Sequence, residues 1–438
     1  MNAAIRKKFT RYISLNVLGM IAISCYILAD TYFISSAVGT LGIVALNLTL
    51  PFYNFIYGLG MMLGTGGGIR YSILRANNRN EEAQKVFTNT LILGFLISLL
   101  FVLVGLTLSK QITTLLGATG VVEEYASSYF RIFMSFAPLF IISEILLSFV
   151  RNSGAPRRAM TAMIIGSLMN AIMDYIFIVI LDMGMSGAAF ATILSPAISI
   201  LIYVPFIMSK GNDLKLVRVK LSFTSLLDVS HLGLTVFINE FGFGLVMLIF
   251  NSRIMYLEGD MGVAAFGIVT NISIVINAIF TGIATGMQPL LSTAYGKGNK
   301  KDIKATLQLG IIVTFLTFVI FYTITTVFSK SIITIFNNDG SVELLNLATL
   351  GFYIYFSAYL FNSMNTIIGQ YFAAINQAKL GFLISILHAG VIIIPLLFLF
   401  SHFWGMTGVW LSFGVAEFFI FGFSLFLLKK NHSLSILK

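Results

Sequence analysis

Three features of the 438-residue chain predict an all-α polytopic membrane protein with twelve transmembrane helices. The helices form two six-helix bundles related by a pseudo-two-fold along the membrane normal. First, 58% of residues are hydrophobic and only 10% charged, with mean hydropathy +0.94, a balance no soluble domain carries. Second, apolar runs recur near 12–37, 43–68, 87–108, 125–150, 160–181, 187–208, 231–256, 263–287, 305–328, 343–371, 380–402 and 406–428. Each run can cross a hydrocarbon core of about 30 Å at roughly 1.5 Å per residue. Third, the chain repeats itself. TLSKQITTLL at 107–116 returns as VFSKSIITIF at 327–336, and GMSGA at 184–188 as GMTGV at 405–409, shifts of 220 and 221. An even number of spans per repeat inserts both halves the same way round and leaves a cavity between them. The predicted division is 1–208, a linker at 209–230, and 231–438.

The net charge of +10 resembles a nucleic-acid footprint until its residues are located. Arg6, Lys7, Lys8 and Arg11 precede the first span, and Arg70, Arg75, Arg79 and Lys85 follow the second. Arg151, Arg157 and Arg158 follow the fourth span, Lys210, Lys215, Arg218 and Lys220 the sixth, and Lys297, Lys300, Lys301 and Lys304 the eighth. With Lys379, Lys429, Lys430 and Lys438, one face gathers 23 of the 27 basic residues. The positive-inside rule then predicts that both termini are cytoplasmic and that nucleic acid is no partner. The single cysteine, Cys25, permits no intramolecular disulfide. The first apolar run is too long for a cleavable signal peptide.

Taken in order, the spans carry few ionisable groups, and each of these is a candidate for function because charge at membrane depth is costly. The first span holds Asp30, about two turns before its end. Gly64-Thr-Gly-Gly-Gly68 ends the second; it lacks the Lys-Ser/Thr of a phosphate loop, and close helix packing or a hinge is the better account. In the fourth, Arg131 is expected to neutralise Glu123 or Glu124, and Glu144 to snorkel or pair with Arg151. The fifth places Asn170 and Asp174 four residues apart on one helix face, and the sixth carries Thr192. Asp30, Asn170, Asp174 and Thr192 therefore share one depth, roughly 7–10 Å from the outer boundary. Their counterparts in the second half are Phe250, Val391, Pro395 and Phe413, so the cluster belongs to one lobe. Glu240 and Glu417 are candidates for lining the cavity. Six of the seven prolines fall within spans.

Two close carboxylates in low dielectric must share a proton or be neutralised by a cation, and hard oxygen ligands suit H⁺ or Na⁺. Polar helix packing is the alternative account of the same four residues. His231, His388, His402 and His432 are scattered, without zinc spacing. With no nucleophile or nucleotide motif in view, the chain is expected not to be an enzyme and to hold no cofactor.

The motifs resemble the multidrug and toxic compound extrusion (MATE) transporters. ADTYFI at 29–34 is similar to their first-span Asp motif, RNSGAPRRAM at 151–160 to their fourth–fifth loop, and NAIMDYIFI at 170–178 to their fifth span. The resemblance, to the bacterial and archaeal branch, implies coupling through Asp30, Asn170, Asp174 and Thr192. Family members often carry Pro where this chain has SLN at 14–16, so Gly19 is the expected substitute for a bend. The implied function is a monomeric antiporter in the cell membrane that exports amphipathic, often cationic, organic compounds in exchange for H⁺ or Na⁺. A flippase for lipid-linked sugars or an exporter of one specific metabolite is the alternative. Arg131, the one basic residue well inside a span, is too little to hold a pyrophosphate.

Overall fold

The structure is a computed structural model that describes residues 3–209, 211–337 and 340–430. Lys210, His432 and Lys438, named above, lie outside them. Among the described residues every regular element is helical. Without water at membrane depth a backbone must satisfy its own polar groups, and a helix does so within one segment.

The first three spans are α1 (Ala3–Ala37), α2 (Thr40–Ala76) and α3 (Asn80–Leu115). The fourth is broken: α4 (Gly120–Ser135) meets α5 (Ala137–Asn152) at a 50° bend. Pro138 stands in the first turn of α5, where its missing N–H and its ring prevent the helix from continuing straight. The fifth span is α6 (Pro156–Asp174) running into a wide π-helical segment, Tyr175–Ile180; the sixth is α7 (Gly184–Met208). In the second half, α8 (Phe223–Gly296) holds the seventh and eighth spans, divided at Gly259 (φ 58°, ψ −148°). α9 (Lys300–Val327) is the ninth, followed by a short α10 (Ser329–Phe336). α11 (Val342–Ser357) and α12 (Tyr359–Ala374) make the tenth. α13 (Ala378–Ile386), a π-helical Leu387–Val391 and the start of α14 (Ile393–Lys430) make the eleventh. Gly405 (φ 54°, ψ −133°) then opens the twelfth. The predicted twelve-helix, two-bundle architecture is the one observed.

Two expectations about elements change. The seventh helix begins at Phe223, inside the segment read as linker, because the Ser222 side chain caps it by accepting from the Ser225 N–H at 3.3 Å. Thr224, Ser225 and Asp228 hide that turn from a search for apolar runs. The rest of the segment is tied to the first half by an Arg75–Asp213 ion pair and by the Val217 N–H donating to Thr88 Oγ1 (3.1 Å). In addition, α1 runs from Ala3 to Ala37 without a break at Gly19. Gly19 serves packing instead, since a Cβ there would come 2.7 Å from Met163 Sδ.

The internal repeat is written into the turns. Left-handed backbone falls at Gly39 and Gly259, Asn78 and Gly298, Gly120 and Gly340, Gly154 and Asn376, and Gly184 and Gly405. These pairs stand 220, 220, 220, 222 and 221 residues apart. Each reverses the chain between spans, where only Gly or Asn accepts positive φ cheaply.

The buried apolar residues form two main clusters, one drawn from Ile34–Val229 and one from Phe250–Leu427 joined by Phe9 and Ile13 of α1. Between them the Gly64–Gly68 run acts as a packing hub, in line with its sequence reading. A Cβ at Gly64 would come 2.6 Å from the Glu144 carbonyl oxygen, and one at Gly66 would come 1.9 Å from that of Val229. Reciprocally, a Cβ on Gly233 would fall 1.9 Å from the Met62 carbonyl oxygen. The backbones of α2 and α8 thus touch, as small residues permit in membranes.

Candidate cation-coupling site

Asp30 on α1 and Asp174 on the last turn of α6 stand carboxyl beside carboxyl. Asp174 is completely buried and Asp30 is 9% exposed. Asn170, one turn before Asp174 on the same helix face, is also fully buried. Asp30 Oδ1, both oxygens of Asp174 and both amide atoms of Asn170 find no donor or acceptor in the protein. The reason lies in the chemistry: two carboxylates offer only lone pairs to each other, so the contact is favourable only with a proton or cation between them. An unmatched buried polar atom costs about 1–3 kcal/mol. A proton or a cation between the two carboxylates would satisfy the orphaned oxygens gathered on this spot.

Thr192 on α7 is buried, but its hydroxyl donates to the Ala188 carbonyl of its own helix (2.9 Å) and stands beside the phenol of Tyr129. The carboxylate pair and Asn170 are thus brought onto two neighbouring helices, with Thr192 joined to Tyr129. Tyr129, on α4, is a polar neighbour that sequence reasoning missed, because a tyrosine in an apolar run carries no signal of its own.

Below this cluster the first lobe contains a cavity whose lining includes tyrosines, serines and Glu144. The Tyr26 and Tyr53 hydroxyls are 3.0 Å apart, and the rings of Tyr53 and Tyr57, one turn apart on α2, stack at 6.0 Å. Such faces suit flat or cationic organic groups. A smaller cavity continues to Arg151 and Thr285 and also contains Glu144. Glu144 is therefore a cavity residue. It does not form the expected ion pair with Arg151, which instead donates from Nη1 to Asn16 Oδ1 (3.0 Å). The expected neutralisation of Arg131 is likewise not found. The ion pairs among the described residues are Arg75–Asp213, Arg79–Glu82 and His388–Glu417, and Glu123 accepts from Thr114.

Of the other two acids, Glu240 is half-buried at the seam between the lobes, where a Cβ on Gly58 of α2 would touch it at 3.5 Å. Glu417 does not line the cavity: it is fully buried inside the second lobe. His388 Nδ1 is 2.6 Å from its Oε1, and Asn365 donates to its Oε2 (2.8 Å) and its carbonyl oxygen (3.1 Å). His388, read as one of four scattered histidines, is thus paired with an acid 29 positions later in the chain. The second lobe lacks the four oxygen groups of the first, yet it has a polar centre of its own at positions the repeat does not relate.

Buried acids within the spans, paired lobes and a central seam give the chain the architecture of a membrane transporter. The MatE family model matches residues 16–176 and 236–399. The chain belongs to this family and is a MATE transporter. It is 28% identical over 408 residues to the multidrug export protein MepA of Staphylococcus aureus, covering 92% of this chain and 88% of that one. Against MepA of Staphylococcus saprophyticus it is 26% identical over 405 residues, with the same coverage of each. Among solved structures, an outward-facing multidrug resistance MATE transporter superposes with TM-score 0.91 at 22% identity, over 98% of this chain and 97% of the other. A transporter of Pyrococcus furiosus, described as having a binding pocket of reversed polarity, gives 0.90 at 22% identity over 99% and 97%.

Proposed function

We propose that this transporter exports amphipathic, often cationic, organic compounds in exchange for H⁺ or Na⁺ taken up at Asp30, Asp174 and Asn170, with Thr192 and Tyr129 bordering that site. The observation that carries the reading is the buried carboxylate pair whose orphaned oxygens need a positive ligand. The likeness to proteins named for multidrug export supports the cargo class. The cavity supplies aromatic faces and one acid, Glu144, which attract a cation without fixing its shape.

The basic loops support the reading that both termini are cytoplasmic. The close approaches between the lobes, from Ile13–Gly286 and Val229–Gly66 to Asn54–Gly244, then occupy the cytoplasmic half and mid-depth. On that orientation the arrangement corresponds to an outward-facing transporter. A coupling ion entering from outside changes the balance between outward- and inward-open lobes by its differential affinity for the two. Cargo and ion alternate because one rocking motion serves both. The chemistry proposed is transport alone, by a monomer in the cell membrane.

Proteoliposomes with independently imposed pH and Na⁺ gradients test the proposal. A gradient of one of these ions should drive efflux of a cationic dye, and Asp30→Asn should abolish the driven component. Efflux indifferent to both gradients would sink the coupling, and efflux of a single metabolite class alone would sink the multidrug cargo.

A further inference from the structure

The seam at the end carrying the basic loops contains a second set of buried polar groups, distinct from the coupling site. Asn16 of α1 donates through Nδ2 to the Gly282 carbonyl oxygen (2.9 Å) and to Thr285 Oγ1 (2.6 Å), both on the eighth span. Its Oδ1 accepts from Arg151 Nη1 (3.0 Å), so one side chain links both lobes. Beside it, Asn152 and Gln288 form a reciprocal amide pair across the same seam: Asn152 Nδ2 to Gln288 Oε1 at 3.0 Å, and Gln288 Nε2 to Asn152 Oδ1 at 3.1 Å. All these side chains are buried, and Arg151 is the one buried Lys or Arg among the described residues. Glycines let the backbones close up here. A Cβ on Gly282 would lie 2.8 Å from Val17 Cα, and one on Gly286 would lie 3.2 Å from Ile13 Cα.

Polar groups are an expensive way to fill a seam that never opens, because apolar packing of the same shape is at least as stable. They suit a seam that must open onto water. When the lobes part, each amide and the guanidinium exchange a protein partner for a water molecule, and no orphan remains. An apolar seam would instead expose its whole face to water on opening. Arg151 and Thr285 also line the smaller cavity that contains Glu144, so the closure begins where the cargo space ends.

We propose that Asn16, Arg151 and Asn152 of the first lobe and Thr285 and Gln288 of the second form the cytoplasmic gate of the transporter, a buried hydrogen-bonded closure that must break for the inward-open state to form. The inference rests on the transport reading above and on its orientation. It assigns gating to residues outside the proposed coupling cluster, two of which, Arg151 and Thr285, border the smaller cavity.

Double electron–electron resonance across the cytoplasmic mouth tests it in the full chain. Spin labels at Glu81→Cys and Lys301→Cys, exposed residues in opposite lobes, are placed in a Cys25→Ser background. Asn16→Ala and Gln288→Ala should each add a longer-distance population, with the open-to-closed ratio rising about two- to tenfold per hydrogen bond lost. The exchange Asn152→Gln with Gln288→Asn, which preserves an amide pair, should return the distribution toward that of the parent. If Asn16→Ala does not fold, Gln288→Met keeps the volume and must show the same shift. Distributions unchanged in every folded variant would overturn the gate. The measurement needs no cargo, so dye efflux can fail while the gate stands. Normal efflux with unmoved distances would remove the gate and leave the cargo reading intact.

Discussion

At the level of single residues, the proposed coupling cluster predicts that its members act as a unit. If Asp30 and Asp174 share one proton or cation, removing either removes the site. Asp30→Asn and Asp174→Asn should each lose gradient-driven export while reaching the membrane, and the double variant should lose little more. Asn170→Ala and Thr192→Ala remove only neutral groups and should weaken the response to H⁺ or Na⁺ rather than abolish it. Additive losses, with ion responses intact in the single mutants, would make these residues packing polars. Glu417 is a different case, because its carboxylate is held inside the second lobe by His388 and Asn365. Glu417→Gln keeps an oxygen for Asn365 and lets His388 become neutral, so export should persist. Glu417→Ala leaves buried partners unmatched and should cost about 3–5 kcal/mol in thermal unfolding measured in detergent. Uncoupling by Glu417→Gln as complete as that by Asp30→Asn would show that coupling is not confined to the first lobe.

Close backbone approach is the recurring device at the level of elements, and the sequence revealed part of it. The glycine run of α2 could be read as packing because no phosphate chemistry followed it. Its partners, Glu144 and Phe149 on α5 and Val229 on α8, could not be read, since helix pairing leaves no trace in spacing. Asp30, Asn170 and Asp174 were legible because charge in an apolar run is conspicuous and i, i+4 spacing fixes a helix face. Tyr129, His388 and the Asn16 link were not, because each acts through a partner more than 25 residues away on another helix. The repeat was legible in two short motifs and proved to run through five pairs of left-handed turns. The α2–α8 contact gives the test at this scale. Gly66→Val and Gly233→Val would push side chains into carbonyl oxygens and should destabilise by at least about 1–3 kcal/mol. Gly267→Ala, where a Cβ meets nothing within 4 Å, should be neutral or mildly stabilising. Equal stability of all three in a thermal-shift assay would mean that the seam yields more readily than its contacts imply.

The distribution of charge and the placement of the two lobes depend on each other at the level of the whole molecule. Every loop on one face carries Lys or Arg, while the opposite face holds only Lys110, Arg253 and Lys330. Both repeats enter the membrane the same way, so a single charge rule orients both. The carboxylate pair lies toward the face poor in basic residues and the polar closure toward the face rich in them. An external ion would then meet Asp30 and Asp174 from its own side while the cytoplasmic mouth is shut. Reversing the orientation would turn the same geometry into a protein open to the cytoplasm with its coupling site at the wrong mouth, so topology is the assumption on which the exchange cycle depends. In a Cys25→Ser background, Lys215→Cys on the segment between the lobes should resist a membrane-impermeant maleimide in intact cells and react after permeabilisation. Asp182→Cys, exposed at the opposite end of the fifth span, should react in intact cells. Rapid labelling at 215 with protection at 182 would invert the molecule and with it the direction of transport.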